Sequence, residues 1–301
     1  MTKNKSNSEI AFNKLLSLLI SPNSGDKLVF DSDTKTLKDT KGYKYSVESF
    51  IPILLTKNSE SLNFDYLEHY KTDSELFDYF EERTGGTLHD ELRVRQYILS
   101  RIDSNIKSIL DVGCGRAWLA GELSVNGVFV CSLDASLTNP AKAVELYPNE
   151  NHAGLVADAL NLPFTENSFD SIVASEIIEH IVEPQKFVNE LMRCLKPGGK
   201  LIITTPYKEV LRYSLCIHCN KMTPVNAHLH TFDENKLMNL YKTDSGLCKW
   251  STFGNKALLH LRTHVILKYL PFSLWKAVDS FISLFINKQA HIIAEFTKDK
   301  A

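Results

Sequence analysis

This 301-residue chain has no apolar run approaching the twenty or so residues that a bilayer-spanning helix needs. Its first residues, Met1-Thr2-Lys3-Asn4-Lys5-Ser6-Asn7, are polar, and the apolar stretch Leu15 to Ile20 is too short for a signal-peptide core. Only six cysteines are scattered along it, which is no disulfide framework, so a reducing, cytoplasmic setting is expected. An excess of charge of one sign is also missing: 34 basic against 36 acidic residues give a net charge of −2. That removes the global electrostatic footprint of a nucleic-acid binder; DNA is not expected as a partner, and RNA is left to a local patch. Repeats and low-complexity tracts are absent as well. What is present is 44% hydrophobic and 23% charged residues, the make-up of a globular chain, long enough for one large domain and an appendage.

Residues 1–20 read as an amphipathic helix, and 25–55 as short strands between turns such as Asp39-Thr40-Lys41-Gly42. Residues 58–105 are charged and aromatic at helical spacing. From 107 onward the pattern is strand, glycine turn and helix, repeated. Ser108–Val112, Val128–Leu133, Ser171–Ala174 and Lys200–Thr205 are short apolar runs of buried-strand character, with helical patterns such as Glu183–Leu195 between them. Alternation of this kind predicts an α/β fold, a mostly parallel sheet with helices on both faces, which binds ligands at the carboxyl ends of its strands.

The glycine turn Asp111-Val112-Gly113-Cys114-Gly115 follows one such strand and precedes a helix, the context in which a glycine motif carries meaning. Asp134 stands 21 residues beyond Gly113, at the end of the next strand, where a carboxylate can accept both hydroxyls of a ribose. A dinucleotide fold wants a small residue at 118 and no acid before the turn; this chain has Trp118 and Asp111. A cationic ligand without phosphate tolerates that carboxylate, and S-adenosylmethionine (SAM) meets that description.

Residues 107–206 resemble the core of class I SAM-dependent methyltransferases of the type 11 kind. Ile109-Leu-Asp-Val-Gly-Cys-Gly115 matches the first motif, and Asp134 the ribose acid. Ala157-Asp158-Ala159-Leu160 matches the adenine segment, Ser175-Glu176-Ile177-Ile178-Glu179-His180 the end of the fourth strand, and Leu195-Lys-Pro-Gly-Gly-Lys200 the entry to the fifth. The resemblance implies a Rossmann-like seven-stranded sheet over 106–301. It also implies a cofactor site of Asp111, Gly113, Cys114, Gly115, Asp134, Ala135, Asp158, Ala159 and Ser175. Methyl transfer from an activated sulfonium asks mainly for positioning of the acceptor and removal of its proton. His180, Glu176 and Glu179 are the expected catalytic groups.

Two stretches spell candidate metal sites. Glu176, Glu179 and His180 can offer two carboxylates and an imidazole to a divalent cation that activates a hydroxyl. The spelling resembles that of ubiquinone-biosynthesis O-methyltransferases and of small-RNA 2′-O-methyltransferases, the latter with a downstream His-x-Phe like His230-Thr231-Phe232. Within 214–232, Cys216 and Cys219 followed by His228 and His230 have the residue types of a zinc loop. The alternatives are a packed or proton-accepting His180 in the first stretch, and buried thiols with a surface His pair in the second.

At the N-terminal end, residues 13–56 are similar to the small zinc-ribbon-like methyltransferase-activator module, which sets a module at 1–57 and a helical cap or linker at 58–105. Where that family has Cys-Pro-x-Cys, this chain has Ser21-Pro22-Asn23-Ser24, so no zinc is expected there. The aromatic residues Tyr66, His69, Tyr70, Phe77, Tyr79 and Phe80 suit either a cofactor lid or ordinary packing. In a helical insert at 256–289, Leu274, Val278, Phe281 and Phe285 mark one apolar helix face, expected to pack on its own domain, with membrane contact as the alternative. The reading that results is a SAM-dependent methyltransferase acting on an oxygen nucleophile of a small-molecule, glycan or lipid-linked acceptor. An RNA 2′-O-methyltransferase and a non-catalytic SAM-binding partner are the competing readings.

Overall fold

The computed structural model describes residues 6–56, 66–217, 219–242 and 248–300. Helix α1 (Asn7–Leu16) starts where the Ser6 hydroxyl accepts the Glu9 amide at 3.2 Å, an N-cap that satisfies one otherwise unpaired donor. Four short strands follow, β1 (Val29–Asp31), β2 (Thr36–Lys38), β3 (Lys44–Glu48) and β4 (Ile51–Leu54). Helices α2 (Tyr66–Leu76) and α3 (Gly85–Leu99) come next, and then the alternating unit. Its first half is β5 (Ser108–Val112), α4 (Trp118–Leu123), β6 (Phe129–Asp134), α5 (Thr138–Leu146) and β7 (His152–Ala157). Its second half is β8 (Phe169–Ser175), α6 (Pro184–Cys194) and β9 (Leu195–Pro206). A hairpin, β10 (Tyr213–Leu215) and β11 (Met222–Pro224), precedes α7 (Glu234–Met238) and β12 (Cys248–Asn255). The chain then passes through α8 (Lys256–His260), α9 (His264–Leu267) and α10 (Phe272–Ser283) into β13 (Gln289–Thr297).

Seven strands, in the order β7-β6-β5-β8-β9-β13-β12, form the expected sheet, parallel except for β13, which is antiparallel to both neighbours. Its residues alternate between two apolar layers. Leu110, Val112, Ile172, Ala174, Leu201 and Ile203 join the layer containing α1 and α6. Ile109, Val173 and Ile202 join that of α3, α4 and α10. This is the period of two that a strand buried on both faces requires.

The N-terminal strands are continuous with this sheet. β4 pairs in parallel with β7, Ile53 opposite Val156, and β1-β2-β3-β4 extend it antiparallel to eleven strands. Ile51-Pro52-Ile53-Leu54 is a continuous apolar run because it is covered on both faces. Phe12, Leu15 and Leu19 bury in the same layer as Phe164 and Leu155. Side-chain hydrogen bonds hold the Ser21–Ser24 turn: Ser21 Oγ and Asn23 Nδ2 each reach Tyr45 Oη at 2.8 Å, and Ser24 Oγ donates to Asp39 at 2.5 Å.

The insert differs from expectation. Leu274, Phe281 and Phe285 face outward, while Trp275 and Asp279 form the buried side of α10. Polar anchors decide the orientation. The Asp279 carboxylate accepts the amides of Asn255 and Gly254 at 2.7 and 3.2 Å, and Asn255 Nδ2 donates to the Ile286 carbonyl at 2.6 Å. The guanidinium of Arg93 lies over the Trp275 ring at 4.9 Å. Among the described residues no helix is long and apolar enough to cross a membrane.

Candidate active site

The carboxyl ends of β5 to β8 open into a cavity of about 470 Å³ roofed by α2. Gly113 and Gly115 line its floor, both with positive φ, +66° and +45°. At Gly113 a side chain would also run into Ile177, so glycine is required there twice over. The amides of Gly113 and Cys114 both donate to the Leu133 carbonyl, at 2.9 and 3.0 Å, which ties the turn to the end of β6.

Asp134 follows at that end and faces the cavity. Its carboxylate accepts the Ser136 amide at 3.1 Å and Asn139 Nδ2 at 3.0 Å. Burial raises its pKa, opposed by these hydrogen bonds. Asp158 accepts the Leu160 amide at 2.8 Å through one oxygen and the Tyr66 hydroxyl at 2.5 Å through the other. That bond pins the first residue of α2 to the floor. Tyr66, His69, Tyr70, Phe77 and Tyr79 all line the cavity, so the aromatic stripe is its roof; Phe80 is not among the lining residues. Ala135 and Ala159 line it too, but Asp111, Cys114 and Ser175 do not. Asp111 is buried below the turn, Cys114 packs in the apolar layer of α3 and α4, and the Ser175 hydroxyl is taken by Thr204 Oγ1 at 3.0 Å.

The opposite wall is built from the β8 exit. Glu176 adopts φ +52°, a conformation costly for a residue with a side chain and one that turns the chain sharply after β8. Its carboxylate stands 3.5 Å from His291 Nδ1, whose other nitrogen, Nε2, donates to Asp90 at 2.9 Å. Burial lowers the His291 pKa, but Glu176 and Asp90 outweigh it and carry it up to about 10. Glu179 is buried behind the cavity wall, accepting the Thr205 hydroxyl at 2.9 Å, with its pKa pushed far up by burial and then by Glu176. His180 lines the cavity. Burial and the neighbouring His228 bring it down to about 4, and its Nδ1 is buried with no hydrogen-bond partner among the described residues.

The Glu179 carbonyl accepts the amides of Leu229 and His230, at 2.8 and 3.1 Å, which draws 228–230 against the β8 exit. Glu179, His180 and His228 thereby bring one donor atom each within 4.8 Å of one another. Glu209 accepts from His228 Nδ1 at 2.5 Å, fixing that ring from behind. The four-residue zinc set is not assembled: Cys216 and Cys219 join no three-donor group among the described residues. The β10–β11 hairpin carries both cysteines to its tip, while His228 and His230 return to the β8 exit beside Glu179. His218 lies outside the described residues. Sequence reasoning missed Tyr66 as a partner of Asp158, and missed the pair Asp90 and His291, 201 residues apart with no local signal joining them.

Residues 110–203 match the family described as a methyltransferase domain. A ubiquinone biosynthesis O-methyltransferase of Rickettsia prowazekii is 34% identical over 130 residues, covering 40% of this chain and 50% of that protein. A demethylmenaquinone methyltransferase of Clavibacter sepedonicus is 31% identical over 120 residues, 38% of this chain and 49% of that protein. The chain thus spans about half the length of these curated relatives. Among solved structures, a Haemonchus contortus phosphoethanolamine N-methyltransferase 2 with bound phosphomonomethylethanolamine and S-adenosylhomocysteine superposes with a TM-score of 0.51 at 18% identity. It covers 78% of this chain and 60% of that one, a likeness of fold.

Proposed function

We propose that this chain is a methyltransferase that carries a methyl group from SAM to a hydroxyl of a small, lipid-soluble acceptor. The observation that carries the reading is the division of one cavity into two walls. One wall holds Gly113, Gly115, Asp134 and Asp158; the other includes His180, whose buried Nδ1 has no hydrogen-bond partner among the described residues. SAM, when bound, supplies a methyl already activated by its sulfonium. Asp134 is suited to accept from ribose hydroxyls, with Asn139 and the Ser136 amide holding its carboxylate in place. Asp158 and Ala159 sit at the adenine end, closed by Tyr66.

On the acceptor wall burial and the neighbouring His228 keep His180 neutral near pH 7, which leaves its imidazole able to accept a hydrogen bond from an acceptor hydroxyl. The chain Asp90–His291–Glu176 holds the β8 exit to the start of β13, and with it the backbone that aims His180. Glu179, His180 and His228 also fit a divalent cation: a buried carboxyl short of positive charge, two imidazoles, and Glu209 orienting one of them. Such an ion would lower the pKa of an acceptor hydroxyl. The names of the relatives, ubiquinone and demethylmenaquinone, support a lipid-soluble acceptor. Methylation of an RNA 2′-hydroxyl draws on the same three residues, but the net charge of −2 does not favour it.

Titration with S-adenosylhomocysteine, metal analysis and a transfer assay on phenolic acceptors test the reading together. Asp134→Ala loses charge-assisted hydrogen bonds to the ligand and is expected to weaken binding at least about tenfold. His180→Ala is expected to leave binding within about threefold and to remove most transfer. Equal loss of binding in both variants would overturn the division of the cavity.

A further inference from the structure

Two segments leave the sheet beside the cavity with their apolar side chains outward. The insert 256–288 joins the end of β12 to the start of β13, where Asn255 pairs with Gln289. Two residues on, His291 pairs with Pro206 at the carboxyl end of β9, so the insert emerges on the same edge as the cavity. The β10–β11 hairpin leaves that edge directly from β9, and its return strand runs into Asn226 and Ala227, which line the cavity. In the insert, Leu261, Ile266, Tyr269, Phe281, Leu284 and Phe285 are between 59% and 80% exposed. In the hairpin region, Val210, Tyr213, Leu215, Ile217 and Met222 are between 53% and 87% exposed. All three residues of β10 are exposed, so neither face of that strand rests on protein.

Charge in these segments departs from the rest of the chain. The insert carries Lys256, Arg262, Lys268, Lys276 and Lys288, and its one carboxylate, Asp279, is buried against backbone amides. The hairpin region carries Lys208, Arg212 and Lys221, and its one carboxylate, Glu209, accepts from His228. In a chain of net charge −2, these two segments therefore carry eight cations among exposed aliphatic and aromatic side chains; among the described residues, Lys208 alone of them is paired with a carboxylate outside the segments, Glu234 at 3.2 Å. A protein surface rarely leaves this much apolar area to water without a partner.

We propose that this edge docks on a membrane surface containing anionic lipid. The apolar side chains of α8 to α10 and of the hairpin enter the headgroup boundary, and the lysines and arginines lie against lipid phosphates. Cations interleaved with exposed aliphatic and aromatic side chains suit the headgroup boundary of an anionic bilayer, and the net charge of −2 does not favour nucleic acid. Docking in this pose turns the cavity toward the bilayer, so an acceptor dissolved in lipid would reach His180 without crossing water; this last consequence rests on the methyltransferase reading.

The test is flotation of the full chain with phosphatidylcholine vesicles, with and without about 30% phosphatidylglycerol. The wild type is expected on the anionic vesicles, with binding about tenfold weaker on neutral ones or in about 0.5 M salt. Ile266→Glu with Phe285→Glu, and separately Ile217→Glu, should each weaken vesicle binding at least about tenfold while melting temperature and S-adenosylhomocysteine affinity stay at wild-type values. No flotation of the wild type overturns the proposal, as does equal flotation of the variants. So do a dimer split by the same substitutions and binding of an oligonucleotide in place of vesicles. The vesicles contain no methyl donor, so failure here leaves the methyltransferase reading standing. Loss of nucleoside binding with flotation intact would sink that reading alone.

Discussion

Asp111 lies under the glycine turn with one carboxylate oxygen buried and unbonded among the described residues, and burial, reinforced by Asp134, pushes its pKa up to about 8. The folded state therefore holds a proton that the unfolded chain releases near pH 4, and stability falls as pH rises between those values. Asp111→Asn keeps the neutral form at every pH. Its melting temperature without ligand should match the wild type near pH 4, exceed it increasingly toward pH 8, and stay above it beyond. A pH-independent difference in thermal scans would refute this account. Asp134, by contrast, was legible in the sequence because its place at a strand end, 21 residues past Gly113, follows from the repeating unit. His291 was not: its partners Asp90 and Glu176 come from α3 and the β8 exit, and only the closed sheet brings them together.

At the scale of elements, apolar periodicity marked α10 but could not say which side faces the protein. Buried polar bonds settle that, since Asp279 must face the Asn255 and Gly254 amides. The cysteines and histidines of 214–232 gave a similar lesson: their spacing suits one metal ion, yet a hairpin between them carries the cysteines to its tip. The N-terminal segment was legible as strands but not as part of the main sheet, because β4 and β7 are distant in sequence. Its attachment is strong. Phe12 is fully buried against Phe30, with ring centroids 4.9 Å apart, and beside Phe50. Phe12→Ala should cost about 3 kcal/mol and lower the melting temperature by about 6 °C. Because α1 and β7 share one apolar layer, that loss should shift a single transition; a separate low-temperature unfolding step of the N-terminal strands would contradict the shared core.

For the whole molecule, the cavity lies between elements far apart in the chain, its roof from α2 and its floor from β5 to β8, joined by Tyr66 to Asp158. A nucleoside held between them binds the folded state only. At a hundredfold excess over its dissociation constant, S-adenosylhomocysteine should add about 2.7 kcal/mol of stability and raise the melting temperature by several degrees. Hydrogen exchange should show α2 gaining protection along with the strand ends; protection of the strand ends alone would mean that the roof takes no part in binding.

The parallel pairing of β4 with β7 also bears on synthesis. Ile53 leaves the ribosome about 100 residues before Val156, its partner, and at the usual 5–20 residues per second that is a wait of roughly 5 to 20 s. Through that interval Ile51, Ile53 and Leu54 have no strand on their outer side, and Phe12 and Leu15 lack the β7 surface that will cover them. The nascent chain is thus most open to mispairing while its middle third is being made, and a chaperone that shields β4 during those seconds would raise yield without touching the finished fold.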